Sequence, residues 1–139
     1  MNKLFSIILL LSFLSCRSQS ERTINSIVNT NWECKIAEGC INIYKFKSDN
    51  EFSFVSCEME DVYYGKYYFV VDTLILEQLG SISDKELPED SLHIAEKKLY
   101  KIDIKGNKLT HINMSNWVNG KWVKSDFKFD PNYIYKRKK

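Results

Sequence analysis

The sequence predicts an all-β fold: a small, closed antiparallel barrel of about eight strands with meander connectivity. Short runs of alternating apolar and polar residues recur along the chain, and turn residues separate them at regular intervals. An apolar period of 3.6 nowhere extends beyond about two helical turns. About eight short strands in about 105 residues imply a closed barrel, because closure removes exposed strand edges.

The length of the chain suits one such domain, with 139 residues in all. Hydrophobic residues make up 44% of the chain and aromatic residues 14%, which is enough for a packed core and argues against wholesale disorder. We divide the sequence into a signal peptide over residues 1–15, a lipidated tether over residues 16–31 and the barrel domain over residues 32–139.

The first sixteen residues have the pattern of an export signal. Lys3 is followed by an apolar run over residues 4–14, which is too short to cross a bilayer and fits a signal peptide. Residues 13–16, Phe-Leu-Ser-Cys, resemble the lipobox of bacterial lipoproteins. The resemblance implies that Cys16 becomes the mature N-terminus and carries a diacylglyceryl group and an acyl chain such as palmitate, which anchor the protein in a membrane. The alternative is an ordinary secreted protein in which this cysteine is incidental.

The formal charge is small overall and unevenly distributed. The whole chain carries +2, and residues 1–15 account for one of these charges. Residues 33–96 contain 14 acidic and 5 basic side chains, whereas residues 97–139 contain 12 basic and 3 acidic ones. We expect the two halves to pair as neighbouring strands that neutralise each other, with a dipolar, partner-steering surface as the alternative. Nucleic acid is not an expected partner, because the exported chain has no overall basic excess.

Hairpin signals order the strands of the first half. The turn sequence at residues 48–50, Ser-Asp-Asn, separates two runs of alternating aromatic residues. A turn at residues 71–72 would place Tyr67 opposite Leu76 on one face. Residues 78–91 form the only long irregular stretch that we expect, and this stretch belongs to an acidic loop.

Two tight turns order the second half. A Gly-Asn turn at residues 106–107 would direct His111 inward. Residues 119–120, Asn-Gly, are the clearest hairpin signal, because both central residues of a type I′ turn need positive φ. A two-residue loop there places Trp117 opposite Trp122. Further aromatic residues are predicted to form a last strand or strap: Phe127, Phe129, Tyr133 and Tyr135.

A progression of motifs covers the first half of the barrel domain. It comprises an early Trp32, Tyr44-x-Phe46, the turn at residues 48–50, Phe52-x-Phe54, Gly65-x-Tyr67 and the segment Asp-Thr-Leu-Ile-Leu at residues 72–76. In this order the motifs resemble the small lipocalin-like domains of bacterial lipoproteins. The resemblance implies a lipocalin-like barrel and says little about a ligand, since the motifs are structural.

The cysteines predict one disulfide. If Cys16 is lipidated, Cys34, Cys40 and Cys57 remain and one of them is unpaired; export permits disulfides. We predict a Cys40–Cys57 bond that contributes about 3 kcal/mol, and a free Cys34. A zinc site built from the three cysteines and a histidine is the competing interpretation, but their spacing fits no common zinc motif.

The disulfide prediction depends on the register of the first hairpin. If Lys47 lies opposite Asn50, then Cys40 lies opposite Cys57. A register shifted by one residue breaks this match unless a bulge near Ser56 restores it.

The sequence lacks the motifs of the common catalytic sites. It has no Gly-x-Ser-x-Gly, no phosphate-binding loop and no His-Glu-x-x-His. The carboxylates of Glu58, Glu60 and Asp61 are candidates for acid–base chemistry or Ca²⁺ binding, although a solvated rim is favoured. An inward-facing His111 is more typical of a hydrogen-bonded core residue than of a catalyst. We therefore expect a non-enzymatic protein without a cofactor or metal.

Three features indicate binding residues. Exposed tyrosines beside acidic residues are typical of protein-binding surfaces, and burial under a neighbouring loop is the alternative. The long acidic loop contains apolar side chains, and binding residues tend to collect on long connections. An inward-facing histidine would line the interior. The candidate binding residues are Tyr64, Tyr68, Leu79, Ile82, Leu87 and His111.

Two functions follow from these features. The first is a non-enzymatic lipoprotein of the bacterial cell envelope, anchored in a membrane through its N-terminal lipid, with the barrel in the periplasm or outside the cell. It would bind a small apolar ligand, an envelope component or a protein partner. The second is an inhibitor or immunity-type protein that blocks a target enzyme through its barrel rim and acidic loop. A filled barrel interior would favour partner binding, and an empty apolar cavity would favour a ligand.

Overall fold

The computed structural model describes residues 27–82 and 97–139. The predicted signal peptide, Cys16 and Leu87 lie outside the described residues. The described part of the chain forms nine strands: β1 (Thr30–Ala37), β2 (Cys40–Phe46), β3 (Glu51–Ser56), β4 (Asp61–Val70), β5 (Thr73–Ser81), β6 (Lys98–Lys105), β7 (Lys108–Val118), β8 (Lys121–Lys124) and β9 (Tyr135–Arg137).

Eight of these strands close into a barrel. Strands β1 to β7 each pair antiparallel with the next, and β9 pairs with both β7 and β1, so that it closes the ring. Strand β8 folds back onto β7 and pairs with no other described strand. The structure thus confirms the predicted all-β class, the closed eight-stranded antiparallel barrel and its meander order.

The turns divide the barrel into two ends. The lower end carries the turns at residues 48–50, 71–72 and 106–107, and the upper end carries the β3–β4 turn at residues 57–60 and the β7–β8 turn at residues 119–120. The predicted turns at 71–72, 106–107 and 119–120 are confirmed. In the last of these, both Asn119 and Gly120 have positive φ, as a type I′ turn requires.

The β2–β3 hairpin differs from its predicted register by one residue. Phe46 lies opposite Phe52, and the hydrogen bond between Lys47 and Glu51 leaves residues 48–50 as a three-residue loop, in which Asn50 has a φ of 60°. The backbone N–H of Lys47 donates to the carbonyl oxygen of Glu51 rather than facing Asn50. The turn prediction missed this shift because Asn50 takes the left-handed conformation and lengthens the loop.

Strand β5 continues further than predicted. It runs to Ser81, so residues 78–81 are strand and not part of an irregular loop. An extra residue near Leu79 interrupts the pairing with β4, which places Tyr64 opposite Gly80 and Gly65 opposite Gln78. The bulge hides the strand in the sequence, because it breaks the alternation of apolar and polar residues.

Inward-facing side chains fill the lower half of the barrel. Ile27, which precedes β1, is fully buried there. The indole N–H of Trp32 donates to the hydroxyl of Thr30 at 2.8 Å, and that hydroxyl donates to the carbonyl oxygen of Ile27. Residues 27–32 are therefore fixed to the lower end. The buried core consists of Ile27, Trp32, Cys34, Tyr44, Phe46, Phe52, Tyr67, Leu74, Leu76, Ile102, Leu109 and Tyr135.

The acidic and basic halves of the sequence remain largely separate in the sheet. Strands β1–β5 come from the acidic half and β6–β9 from the basic half, and among the described strands they meet only at the β5–β6 and β1–β9 pairings. At the second of these, the ammonium of Lys138 lies 2.7 Å from the Glu33 carboxylate. The expectation that neighbouring strands neutralise each other is therefore wrong for most of the barrel wall, because meander order pairs strands that are close in sequence.

Candidate functional site

The middle of the barrel is packed with aromatic rings around Tyr44. Its ring centroid lies between 4.5 and 6.1 Å from those of five other rings. These rings come from strands on several sides of the barrel, so side chains occupy the space that a central ligand would need. The five are Phe46, Phe52, Phe54, His111 and Tyr135.

A hydrogen bond joins Tyr44 to His111 within this cluster. The Tyr44 hydroxyl lies 2.9 Å from Nε2 of His111. Burial lowers the pKa of His111 to about 4 and raises the pKa of Tyr44 well above its usual value. At neutral pH the imidazole is therefore neutral and the phenol keeps its proton, so the hydrogen bond joins two uncharged groups. This arrangement suits a core residue rather than a general base, whose pKa would lie near the working pH.

A strap of residues 125–134 covers the side of the barrel between β8 and β9. It begins where the backbone N–H of Ser125 donates to Met114, and it leads into β9. Phe129 of the strap stacks on His111, with ring centroids 4.4 Å apart, and Phe127 packs against Phe129 from outside. A groove of about 560 Å³ runs between the strap and β7. Its lining includes Lys124 and Lys128.

The β7–β8 hairpin and the start of the strap expose several large apolar side chains, which we call the hairpin surface. Trp117 and Trp122 lie opposite each other, as predicted, with ring centroids 5.0 Å apart in an edge-to-face arrangement. Exposed lysines lie beside them on β8 and on the strap. The hairpin surface consists of Trp117, Val118, Val123 and Phe127, whose exposure ranges from 41% to 58%.

The sequence itself contains a signal for this surface. Residues 117–118 and 122–123 are each Trp-Val, so apolar side chains occupy both faces of the hairpin. Trp117 and Trp122 share one face of this hairpin, and Val118 and Val123 share the other. Strand β8 pairs with no other described strand, so the apolar side chains of the hairpin remain exposed or meet a partner.

The β3–β4 turn at residues 57–60 forms a braced rim at the upper end. The predicted disulfide joins Cys40 to Cys57, and Cys34 is free, as expected. The structure also shows that Cys34 is buried. The chain leaves the β2–β3 ladder after Val55, which allows Cys57 to reach Cys40 despite the shifted register. The backbone N–H of Cys57 also donates to the side-chain oxygen of Asn42 at 2.9 Å. Three exposed residues, Glu58, Met59 and Glu60, protrude from this rim turn.

The structure separates the predicted binding residues instead of gathering them. His111 faces the interior, whereas Tyr64 and Tyr68 lie on the outer face of β4, the first partly buried and the second exposed. Leu79 lies in the β5 bulge close to Tyr64, and the exposed Ile82 follows the end of β5. Leu87 lies outside the described residues.

Tyr68 belongs to a shallow apolar groove on the outer wall. The groove lies across β4, β5 and β6 and has a volume of about 280 Å³. Ile75 faces outward at its centre and is nevertheless only 5% exposed, because its neighbours on both adjacent strands cover it. The lining residues are Tyr68, Val70, Thr73, Ile75, Leu99 and Lys101.

Within residues 27–82 and 97–139, no group of three side chains has the placement of a metal site. The same ranges contain no helix that is long and apolar enough to cross a membrane. Cys34 is buried, and burial raises the pKa of its thiol, which disfavours the reactive thiolate.

These features define a class of protein: a small closed β-barrel with a side-chain-filled centre, a braced acidic rim turn and an exposed aromatic hairpin. Comparison with protein families, with curated proteins and with solved structures finds no match to this chain.

Proposed function

We propose that the protein is a membrane-anchored, non-enzymatic binding protein of the bacterial cell envelope that recognises a protein partner through its hairpin surface. The observation that carries this proposal is the exposure of Trp117, Val118, Val123 and Phe127 on one hairpin and strap. Exposed apolar side chains on one hairpin that are bordered by charged residues are typical of interaction sites.

The packing of the barrel supports a partner over an internal ligand. Rings surround Tyr44 at contact distances, and the strap places Phe129 on His111. A ligand at the centre would have to displace these rings, which costs packing free energy. The outer surface offers contact area without that cost.

The partner is tested by recovery from native membranes. Tagged protein is extracted in mild detergent, and bound proteins are quantified by mass spectrometry. We expect Val118→Glu and Phe127→Ser to abolish recovery of one partner, because each change weakens an exposed apolar contact. The control is Val70→Glu, which charges an exposed apolar position on β4. Equal recovery of the partner by the wild-type protein, the two variants and the control would contradict the proposal, provided that their melting temperatures agree.

The membrane anchor is tested separately at Cys16. We expect metabolic labelling with an alkyne fatty acid to mark the wild-type protein and not Cys16→Ala. We also expect the variant to leave the membrane fraction or to keep its signal peptide. Equal labelling of the two proteins would contradict lipidation at this position.

The rim turn favours a second function, that of an inhibitor or immunity-type protein. Met59 is 67% exposed between two acidic residues, on a turn that the Cys40–Cys57 disulfide and Asn42 hold in place. A rigid loop loses little conformational entropy on binding, which suits a tight inhibitor. If Glu58→Lys with Met59→Ser abolishes partner recovery while Phe127→Ser keeps it, and the partner is an enzyme that wild-type protein inhibits, this second function is favoured.

A further inference from the structure

Three lysines lie side by side across adjacent strands at the lower end, and we call them the basic row. Lys105 of β6 pairs with Lys108 of β7 across the turn at residues 106–107. Lys108 in turn pairs with Lys136 of β9. The inward-facing neighbours of these lysines are core or partly buried residues, so all three ammonium groups point outward, and all three residues are exposed.

The protein itself neutralises only part of this row. Like charges on directly opposite residues of a sheet are destabilising. The ammonium of Lys105 lies 2.8 Å from the Asp103 carboxylate. Lys136 lies opposite Glu33 of β1, but the carboxylate of Glu33 is engaged by Lys138 at 2.7 Å. In the part of the chain that the structure describes, no carboxylate lies within 4.0 Å of the ammonium of Lys108 or Lys136. The row is therefore open to an anion from outside the molecule.

The basic row lies beside the point where the N-terminal segment joins the barrel. The backbone N–H of Lys138 donates to the carbonyl oxygen of Asn31 at 2.9 Å, so β9 and the basic residues after it run next to residues 27–32. Those residues are fixed to the lower end by the Trp32–Thr30–Ile27 hydrogen bonds. The twelve residues from Cys16 to Ile27 span at most about 40 Å when fully extended.

We propose that the lower end of the barrel docks on an anionic phospholipid surface through the basic row. This inference rests on the proposed lipid anchor, which would hold the lower end within the reach of the tether. Phosphate headgroups supply the negative charge that the row lacks, and juxtamembrane lysines are favoured at such surfaces. Val71, which is 83% exposed at the tip of the β4–β5 turn, lies at the same end. Docking in this orientation directs the hairpin surface and the rim turn away from the membrane.

The experiment is lysine footprinting of the full-length lipidated protein in vesicles. The protein is reconstituted in vesicles of phosphatidylcholine alone or with phosphatidylglycerol, and acetylation of each lysine is followed by mass spectrometry. We expect anionic vesicles to slow acetylation of Lys105, Lys108 and Lys136 by about fivefold, the factor that corresponds to about 1 kcal/mol per lysine. Lys121 and Lys124 on β8 serve as internal controls and keep their rates, because they lie toward the opposite end.

Charge variants provide a matched control. Lys108→Glu with Lys136→Glu should abolish the protection of Lys105, whereas Lys121→Glu with Lys124→Glu should preserve it. Lys108→Gln should also raise the melting temperature without vesicles, because it relieves the repulsion from Lys105 and Lys136 on its two sides. A purely structural row would lose stability on this change.

Separate measurements test the docking of the lower end and the lipid anchor. Retention of the protein after a carbonate wash reports the anchor alone. Protein that stays on the vesicles but is acetylated equally at both ends would overturn docking and preserve the anchor. Protein that washes off, yet shows the anionic-lipid protection before washing, would support docking and contradict the anchor.

Discussion

The hydroxyl of Tyr44 and Nε2 of His111 lie 2.9 Å apart in the middle of the barrel, on strands β2 and β7 from opposite halves of the sequence. Phe129 stacks on the outer face of the imidazole, so the histidine lies between the packed centre and the strap. The stacking of Phe129 on His111 links the barrel wall to the strap, which also presents Phe127. The protonation state of His111 should therefore influence both the stability of the fold and the position of the strap.

We expect the stability of the protein to fall as the pH drops from about 6.5 to about 4. Burial depresses the pKa of His111 in the folded state to about 4, against about 6.5 in the unfolded state. The unfolded state therefore binds more protons in this window. The contribution is fully present above pH 6.5 and is lost as the pH falls through about 4. Relative to neutral pH, the loss of unfolding free energy at pH 4.5 is on the order of 2–3 kcal/mol, which urea unfolding can measure.

Two variants separate this effect from other titrating groups. His111→Phe should remove this part of the pH dependence, since phenylalanine does not titrate. Tyr44→Phe should lower the stability but keep the slope, because burial and not the hydrogen bond depresses the pKa. An unchanged slope in His111→Phe would show that His111 does not titrate in this way.

We expect Gly65→Ala to destabilise the barrel by about 2 kcal/mol. Gly65 faces inward on β4, next to the β5 bulge. A Cβ atom there would collide with the backbone carbonyl oxygen of Glu77 and would lie 2.8 Å from Cε1 of Phe52. The backbone carbonyl has no rotamer with which to move away. The urea midpoint reports the change. An unchanged midpoint in Gly65→Ala would contradict this packing.

We expect reduction of the Cys40–Cys57 disulfide to lower the free energy of unfolding by about 3 kcal/mol. The bond closes the loop that contains the β2–β3 hairpin and braces the rim turn. Cys40→Ser with Cys57→Ser should show the same loss without reductant and should not respond to it. Cys34 should react with a thiol reagent only after unfolding, since it is buried and its pKa is raised. Peptide mapping that places Cys34 in the bond would contradict the structure.

Local signals in the sequence were sufficient to predict most of the turns and cross-strand pairs of the barrel. Residues 119–120 specified both the turn type and the Trp117–Trp122 pairing, because Asn-Gly accepts positive φ at both positions. The turn at residues 71–72 likewise set Tyr67 opposite Leu76. These pairings depend on residues that are close together in the chain. Because side chains alternate between the two faces of a strand, one pair at the turn fixes the pairs that follow it.

Relationships that depend on bulges or distant strands could not be predicted in the same way. The extra residue near Leu79 ended the alternation and concealed the end of β5. The meeting of Lys108 and Lys136 depends on which strand closes the ring, which no local pattern specifies. The disulfide was predicted correctly from a register that is wrong by one residue, because the chain leaves the ladder before Cys57.

We expect an exciton couplet in the far-ultraviolet circular dichroism spectrum, from Trp117 and Trp122. Their rings lie 5.0 Å apart at an interplanar angle of 68°, which is close enough for their transitions to couple. Trp122→Phe should abolish the couplet. Trp32→Phe should preserve it, since this third tryptophan is buried among core residues on β1.

The same pair should report the β7–β8 turn. Gly120 has a φ of 80°, which a β-branched side chain resists, so Gly120→Val should cost about 1 kcal/mol or more and weaken the couplet. Gly120→Asn is the matched control, because asparagine adopts positive φ more readily and should keep the couplet. A couplet that persists in Trp122→Phe would mean that the two tryptophans do not face each other, and the hairpin surface would then have a different geometry.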